Sequence, residues 1–360
     1  MGLVHVVVDS EIRQEVPLPT TLNQWRQEPL AEPIWQALLP FFLAQGFTFW
    51  RPVVDQLMRC PEDLDLVQNA YHYVKSSRLE TRVGSVRGLR DFLSMNPLSY
   101  TAQNKERSSV VIRVISIKQE GQGHLDILRK LATGHPSLLV ENHTLPMLQE
   151  LQHEDIIFGI FPLVGADMRT SIGFWAENSV GDIMDMLMQA LEALVYIHKQ
   201  GIAHRDAFHD NFLIQWQPES LLSNQVSCSR PRVYLIDFEV AVEFPPTCTP
   251  EDRFCQGIPS GGSFGGVKEN YSRSCPNDVW NGERYDPFKL DVWQLAAGLD
   301  EYKFMTGIQE IDQVIAAMNY DDPKQRLSAA DALERLGNVV NAMPPVSLLI
   351  APQCTRLNYS

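Results

Sequence analysis

Residues 179–201, SVGDIMDMLMQALEALVYIHKQG, narrow the folds open to this chain more than any other stretch. Ile183, Leu187, Ala190, Leu191, Leu194 and Ile197 recur at helical steps, so one face of a long helix is apolar and needs a surface to cover it. Ser179 offers an oxygen to cap the first turn, and Gly201 can adopt the left-handed conformation that closes the last. The chain then runs through GIAHRDAFHDNFLIQW, where His204, Arg205, Asp206, His209, Asp210 and Asn211 crowd one connection before apolar residues resume at Phe212. A connection so rich in titratable groups either satisfies itself or holds something else.

The flanking segments supply the partner surfaces. SSVVIRVISI is rich in β-branched residues and predicts a strand, QGHLDILRKLATG a helix, and DIIFGIFPLV a buried strand. FLIQW and RVYLIDFEV predict two further strands separated by a polar insertion. The last third predicts helices at LDVWQLAAGLDEYKFM, IQEIDQVIAAMNY and SAADALERLG. Upstream, PIWQALLPFFLAQ, RPVVDQLMRC and PEDLDLVQNAYHYVKSS read as helical pieces, with Leu64, Val67, Ala70, Tyr71 and Val74 at helical spacing in the last. The aromatic run from Phe41 to Trp50 reads as core of this N-terminal extension. Strand-rich segments followed by helix-rich ones predict an α+β chain with a small β-containing part and a larger helical part.

Composition limits the partners. The chain has 360 residues and a formal net charge of −14, a poor balance for gripping nucleic acid or an anionic membrane surface, so neither is expected as a partner. Its six cysteines form no CxxC pair, which predicts reduced thiols and an intracellular setting, cytoplasmic or nuclear. The start, MGLVHVVVDSEIRQEV, has no basic lead or cleavage site and is not expected to be a signal peptide. The most apolar stretch is interrupted by Pro40, Gln45 and Gly46 and is no membrane span.

His204-Arg205-Asp206 with Asn211 five positions after the aspartate, then Asp237-Phe238 after two short strands, resembles the protein kinases, whose catalytic loop reads H-R-D-L-x-x-x-x-N and whose metal-binding motif is D-F-G. YDPFKLDVWQLAAG resembles the family helix in which an aspartate, here Asp291, braces the catalytic loop. DPKQRLSAADAL resembles its late arginine region, with Arg326 in that place. The resemblance covers roughly residues 105–340. It implies a bilobal fold: an arm and helical extension over 1–104, a small lobe and hinge over 105–165, a helical lobe over 166–345 and a tail over 346–360. It implies ATP and Mg²⁺ as cofactors, and a protein substrate or binding partner. Asp206 would accept the proton of a protein Ser or Thr hydroxyl, while Asn211 and Asp237 offer the hard oxygens that Mg²⁺ prefers. His204, Arg205 and Phe238 would support the site. FGIFPLVGADM aligns with the family hinge, with Ile160 as gatekeeper, Leu163 as the backbone donor to adenine and Asp167 near a ribose hydroxyl.

The chain also departs from that pattern. Arg113 stands where the family places its phosphate-holding lysine, and a planar fork reaches differently from an ammonium. His124 takes the place of the helix glutamate that pairs with that lysine, which leaves Arg113 with Glu120 as a possible substitute. No G-x-G-x-x-G precedes the strand, the D-F-G glycine is Glu239, and A-P-E reads Cys275-Pro276-Asn277, so Arg326 needs another partner. Gly261–Gly265 matches G-x-S-x-G, but its irregular flanks predict a flexible activation segment and not a hydrolase elbow. The leading expectation is ATP-dependent phosphoryl transfer to a protein Ser or Thr hydroxyl, and the alternative is a pseudokinase that binds or scaffolds.

Overall fold

The computed structural model describes residues 17–355 apart from positions 28–31, 55–56, 63, 65–66, 68, 72, 74–89, 94–95, 174–175 and 265–266. The fold is mixed α+β. Its main sheet is antiparallel and combines β1 (Thr48–Phe49), β5 (Ser99–Gln103), β6 (Ser109–Ile117), β7 (Gln149–His153) and β8 (Ile156–Pro162) in the order β1-β5-β6-β8-β7. A smaller sheet holds β2 (Arg51–Val54), β3 (Leu57–Arg59) and β4 (Asp91–Leu93).

β6 is the middle strand, and its alternation separates two environments. Val110, Ile112 and Val114 point into a core shared with Phe158 and Ile160 of β8. Arg113 faces the other way, opposite Gly159 and near Phe161, toward the helical part. Two N-terminal helices, α1 (Leu22–Gln27) and α2 (Glu32–Gln45), close the first core. Trp35 is its centre, with ring centroids 5.3 Å from Trp25, 5.2 Å from Tyr100 and 6.0 Å from Phe158. Phe42, Phe47, Phe49 and Trp50 are buried there, as the aromatic run led us to expect.

Two N-terminal expectations are corrected. RPVVDQLMRC is not helical: it forms the hairpin of β2 and β3, where Val53 and Val54 favour extended backbone and Pro52 is tolerated because β2 is an edge strand. In the segment expected to be helical over 61–77, the described residues form no helix, Val67 bridges to Ser108, and Ala70 takes a positive φ of 64°; Val74 lies outside the described residues. The boundary at residue 104 cuts through the main sheet, since β1 and β5 pair into it.

The second core joins α3 (Gln122–Leu131), which packs beside β6, to α4 (Met168–Gly173), α5 (Val180–Lys199), α6 (Pro287–Asp300), α7 (Gln309–Met318) and α8 (Ala329–Asn341). α5 starts in a reciprocal cap: Ser179 Oγ accepts from Asp182 N–H at 3.2 Å, and the Asp182 carboxylate accepts from Ser179 N–H at 2.9 Å. It ends at Gly201, whose φ of 75° is the conformation glycine adopts at no steric cost. Gly298 of α6 serves differently: a Cβ there would lie 2.8 Å from His209 Nδ1, so only glycine lets that ring rest on the helix. No helix among the described residues is long and apolar enough to cross a membrane, and none of the six cysteines is in a disulfide.

Candidate functional site

A pair of short antiparallel strands brings the polar loop and the Asp237-Phe238 segment together. β9 (Phe212–Ile214) pairs antiparallel with β10 (Val233–Leu235), Phe212 opposite Leu235, so the chain before β9 and the chain after β10 leave at the same end. Two bonds lock them: Ile236 N–H donates to Asn211 O at 3.0 Å, and His204 Nε2–H donates to Ile236 O at 2.8 Å. The His204 ring packs edge-on against Phe238 at 4.9 Å.

Asp291 of α6, fully buried, anchors the loop from below. It accepts from His204 N–H at 2.9 Å, Arg205 N–H at 2.6 Å and His198 Nε2 at 2.8 Å. These bonds, with Gln294 Nε2 donating to Arg205 O at 2.8 Å, hold Arg205 at a φ of 66°, a strained value for a side-chain-bearing residue. The Arg205 guanidinium donates to Val240 O at 3.3 Å. Arg326, almost fully buried, donates to the carbonyls of Tyr320, Asp321 and Lys289 at 3.0–3.3 Å. Backbone oxygens thus replace the carboxylate that the sequence lacks at Asn277.

The loop places Asp206 on the floor of a cleft of about 910 Å³ between the main sheet and the helical part. Asn211 Nδ2 donates to Asp206 Oδ2 at 2.8 Å and to its carbonyl at 2.7 Å. Burial pushes the Asp206 carboxyl up to about 7, while the neighbouring Arg273 guanidinium pulls in the opposite direction. Arg273 bridges Asp206 Oδ1 at 3.4 Å and Asp210 Oδ2 at 2.8 Å, with its guanidinium 5.0 Å above the Phe208 ring.

At the sheet end of the cleft, Arg113 Nη2 meets Asp237 Oδ1 at 2.7 Å and Glu239 Oε2 at 3.5 Å. Burial opposes ionisation of Asp237, but Arg113 above all holds its carboxylate well below the usual range. Glu239 is also gripped from α1: Arg26 Nη2 lies 3.0 Å from Glu239 Oε2, Arg26 Nε donates to Ser263 Oγ at 2.5 Å, and its guanidinium covers the Phe264 ring at 4.2 Å. Arg26, Glu239, Arg113 and Asp237 therefore alternate in charge. Glu120 is not Arg113's partner, because its Oε2 accepts from Leu22 N–H at 2.6 Å at the start of α1. His124 is buried against this network, and burial followed by the Arg113 charge pushes its imidazole down to about 3, so it stays neutral. Arg26→Ala should cost about 1–2 kcal/mol by removing one charge-assisted partner of buried Glu239. Urea unfolding measures this, and a loss below a few tenths would show that the pair is idle.

Two of the residues expected at a hinge do not face the cleft as expected. Ile160 is buried in the aromatic core behind the sheet, so its side chain cannot guard the cleft; Phe161, on the opposite face, lines it. Leu163 N–H is spent on Ser109 O at 3.1 Å and its carbonyl accepts from Asn69 Nδ2 at 2.7 Å, so Leu163 is not a spare donor. No described residue accepts from the Val164 N–H, and Val164 lines the cleft. Asp167 lines it too, but its Oδ1 caps α4, accepting from Thr170 N–H at 2.9 Å and Oγ1 at 2.8 Å.

The assigned metal pair fits Mg²⁺ poorly. An ion on either Asp237 oxygen would meet the Arg113 guanidinium, which lies 2.7 Å from Oδ1, and Asn211 offers only its carbonyl oxygen because its amide nitrogen is on Asp206. Among the described residues no group of three or more His, Cys, Asp or Glu side chains could hold a metal ion. Arg26, Phe161, Glu239 and Arg273 form the part of the site that sequence reasoning did not assign. Only the pairing of Arg113 with Gly159 fixes which of Ile160 and Phe161 faces the cleft, and no local pattern marks the three charged residues. A scan against protein-family models matches none of them to this chain, and a search of curated proteins finds no match.

Proposed function

We propose that this chain is a protein-kinase-like domain with a β-containing and a helical lobe, that its cleft binds a nucleoside triphosphate, and that it acts chiefly as a binding module, a pseudokinase serving a protein partner inside the cell, in cytoplasm or nucleus. The observation that carries the nucleotide reading is the cleft itself. It is large enough for such a ligand, has apolar walls at Val111, Leu213 and Leu235, a backbone N–H at Val164 on one side and the Arg113 guanidinium at its inner end. A base suits the apolar walls and the hinge donor, and phosphates suit the guanidinium.

The preference for binding over turnover rests on how the polar groups are spent. Phosphoryl transfer needs cations placed to cancel phosphate charge and a carboxylate free to take a proton. Here Asp237 is bound by Arg113, Asp206 is clamped between Asn211 and Arg273, and the helix position that would hold a counter-ion for the phosphate cation carries neutral His124.

A second reading, transfer to a protein Ser or Thr hydroxyl, is favoured by one observation: the Asp206 carboxyl lies near 7, where an acceptor works best at neutral pH. Thermal melting with and without ATP, together with radiolabelled phosphate transfer to a mixed protein substrate, tests both. The expected result is an upward shift with ATP and no transfer. Transfer that falls by about 100-fold or more in Asp206→Asn would establish the enzyme reading. Absence of any ATP response would remove the nucleotide.

A further inference from the structure

We infer that nucleotide phosphates are held in this cleft by Arg113, with Arg26 behind it, and without a divalent cation. The inference rests on the nucleotide reading above and goes beyond it.

A metal at such a site links a carboxylate to phosphate oxygens and cancels charge between them. Arg113 already occupies the first half of that link, with Nη2 on Asp237 Oδ1 at 2.7 Å. A guanidinium carries five N–H donors in a rigid fork, so one carboxylate contact leaves others unspent. Arg113 Nε in particular is buried and has no acceptor. The Arg113 side chain lines the cleft, and an anion there can take the donors of its fork that Asp237 leaves unspent.

Arg26 is what leaves Arg113 available. Glu239 takes the place of a glycine beside the phosphate end, and its carboxylate alone would absorb the Arg113 charge. Instead Glu239 is held by Arg26 at 3.0 Å and by the Ser263 N–H and hydroxyl, and Arg113 stands farther off at 3.5 Å. The two guanidinium groups balance the two carboxylates without further ions.

A divalent ion that grips Asp237 through Oδ1, or through both oxygens, would have to displace Arg113 between side chains only 13% and 20% exposed. It would then stand beside a guanidinium that had lost its carboxylate, and like charges at such range repel strongly where water is scarce. Asn211 offers little compensation, since its amide nitrogen is fixed on Asp206 and only its carbonyl oxygen remains.

Calorimetric titration of the full chain with ATP, once in excess EDTA and once in excess MgCl₂, tests the inference. The two dissociation constants should agree within about twofold, and Arg113→Ala should weaken binding about tenfold or more in both buffers. Asp237→Asn, which keeps an oxygen acceptor for Arg113, should leave the EDTA value within a few-fold. If Mg²⁺ strengthens wild-type binding about tenfold or more and Asp237→Asn removes that gain, the metal is held after all and the inference is overturned. If ATP gives neither heat nor thermal shift in either buffer, the nucleotide reading falls and takes this inference with it. The buffer comparison uses the unmodified chain, so it stands even if Arg113→Ala proves unfolded.

Discussion

Asp291→Ala is expected to lower the unfolding free energy by roughly 3–5 kcal/mol, because two buried backbone donors and the partly buried His198 ring lose their acceptor, and each buried donor costs about 1–3 kcal/mol when left unmatched. The His204 and Arg205 N–H groups and His198 Nε2 all end on this one fully buried carboxylate. The effect should extend to the loop it anchors, since Arg205 keeps its strained backbone only while both its N–H and its carbonyl are held. Asp291→Asn should cost less, because one oxygen still accepts. Urea unfolding with hydrogen exchange at residues 202–206 reads both effects. A loss under about 1 kcal/mol in Asp291→Ala would mean that the loop is self-supporting.

Lowering the pH from about 6.5 to 4 should draw a stability penalty from His209, set against an opposite contribution from Asp206, whose raised carboxyl takes up its proton in the folded chain first. His209 Nε2–H donates to Leu295 O at 2.8 Å, its Nδ1 is buried without a partner against Gly298, and burial pushes the imidazole down to about 4. Above the ordinary value near 6.5 both folded and unfolded chains carry it neutral, so it imposes no penalty. As pH falls below 6.5 the unfolded chain binds a proton that the folded chain refuses until about 4, and the His209 contribution to stability drops throughout that window. A gap of this size corresponds to roughly 3 kcal/mol. His124, pushed down to about 3, extends the same penalty further, and burial lowers His204 as well. His209→Gln keeps a donor for Leu295 O without the titration. It should lower the slope of unfolding free energy against pH by about one proton, or about 1.4 kcal/mol per pH unit. Parallel curves for variant and wild type between pH 6.5 and 4.5 would refute the assignment to His209.

The parts of the fold that could be read in advance are those whose periodicity is long or whose caps are explicit. The helix Val180–Lys199 has both an apolar stripe and a reciprocal Ser179–Asp182 cap, and the strand Ser109–Ile117 is dense in β-branched residues. The hairpin at residues 51–59 was misread because short apolar runs suit helix and strand equally, and only pairing with the strand Asp91–Leu93 decides between them. The facing of Ile160 was misread for a related reason. Ile160 and Phe161 are both apolar and both buried, and only the sheet register tells which of them faces the cleft. The polar loop was legible because its groups are close in sequence. Arg26 with Glu239 and Arg273 with Asp206 are remote pairs, and a single charged residue in a polar stretch gives no local sign of its partner.

The link from Arg26 to Glu239 joins residues 213 positions apart, and this sets an order on how the chain can be made. The aromatic core draws on residues 22–163, one uninterrupted stretch, and can close once that stretch has left the ribosome. Arg26 and Arg113 then wait on its surface as bare cations until Asp237 and Glu239 arrive with the helical part. The cleft is therefore the last region to mature, and a newly made chain passes through an interval in which two exposed guanidinium groups are open to any passing polyanion.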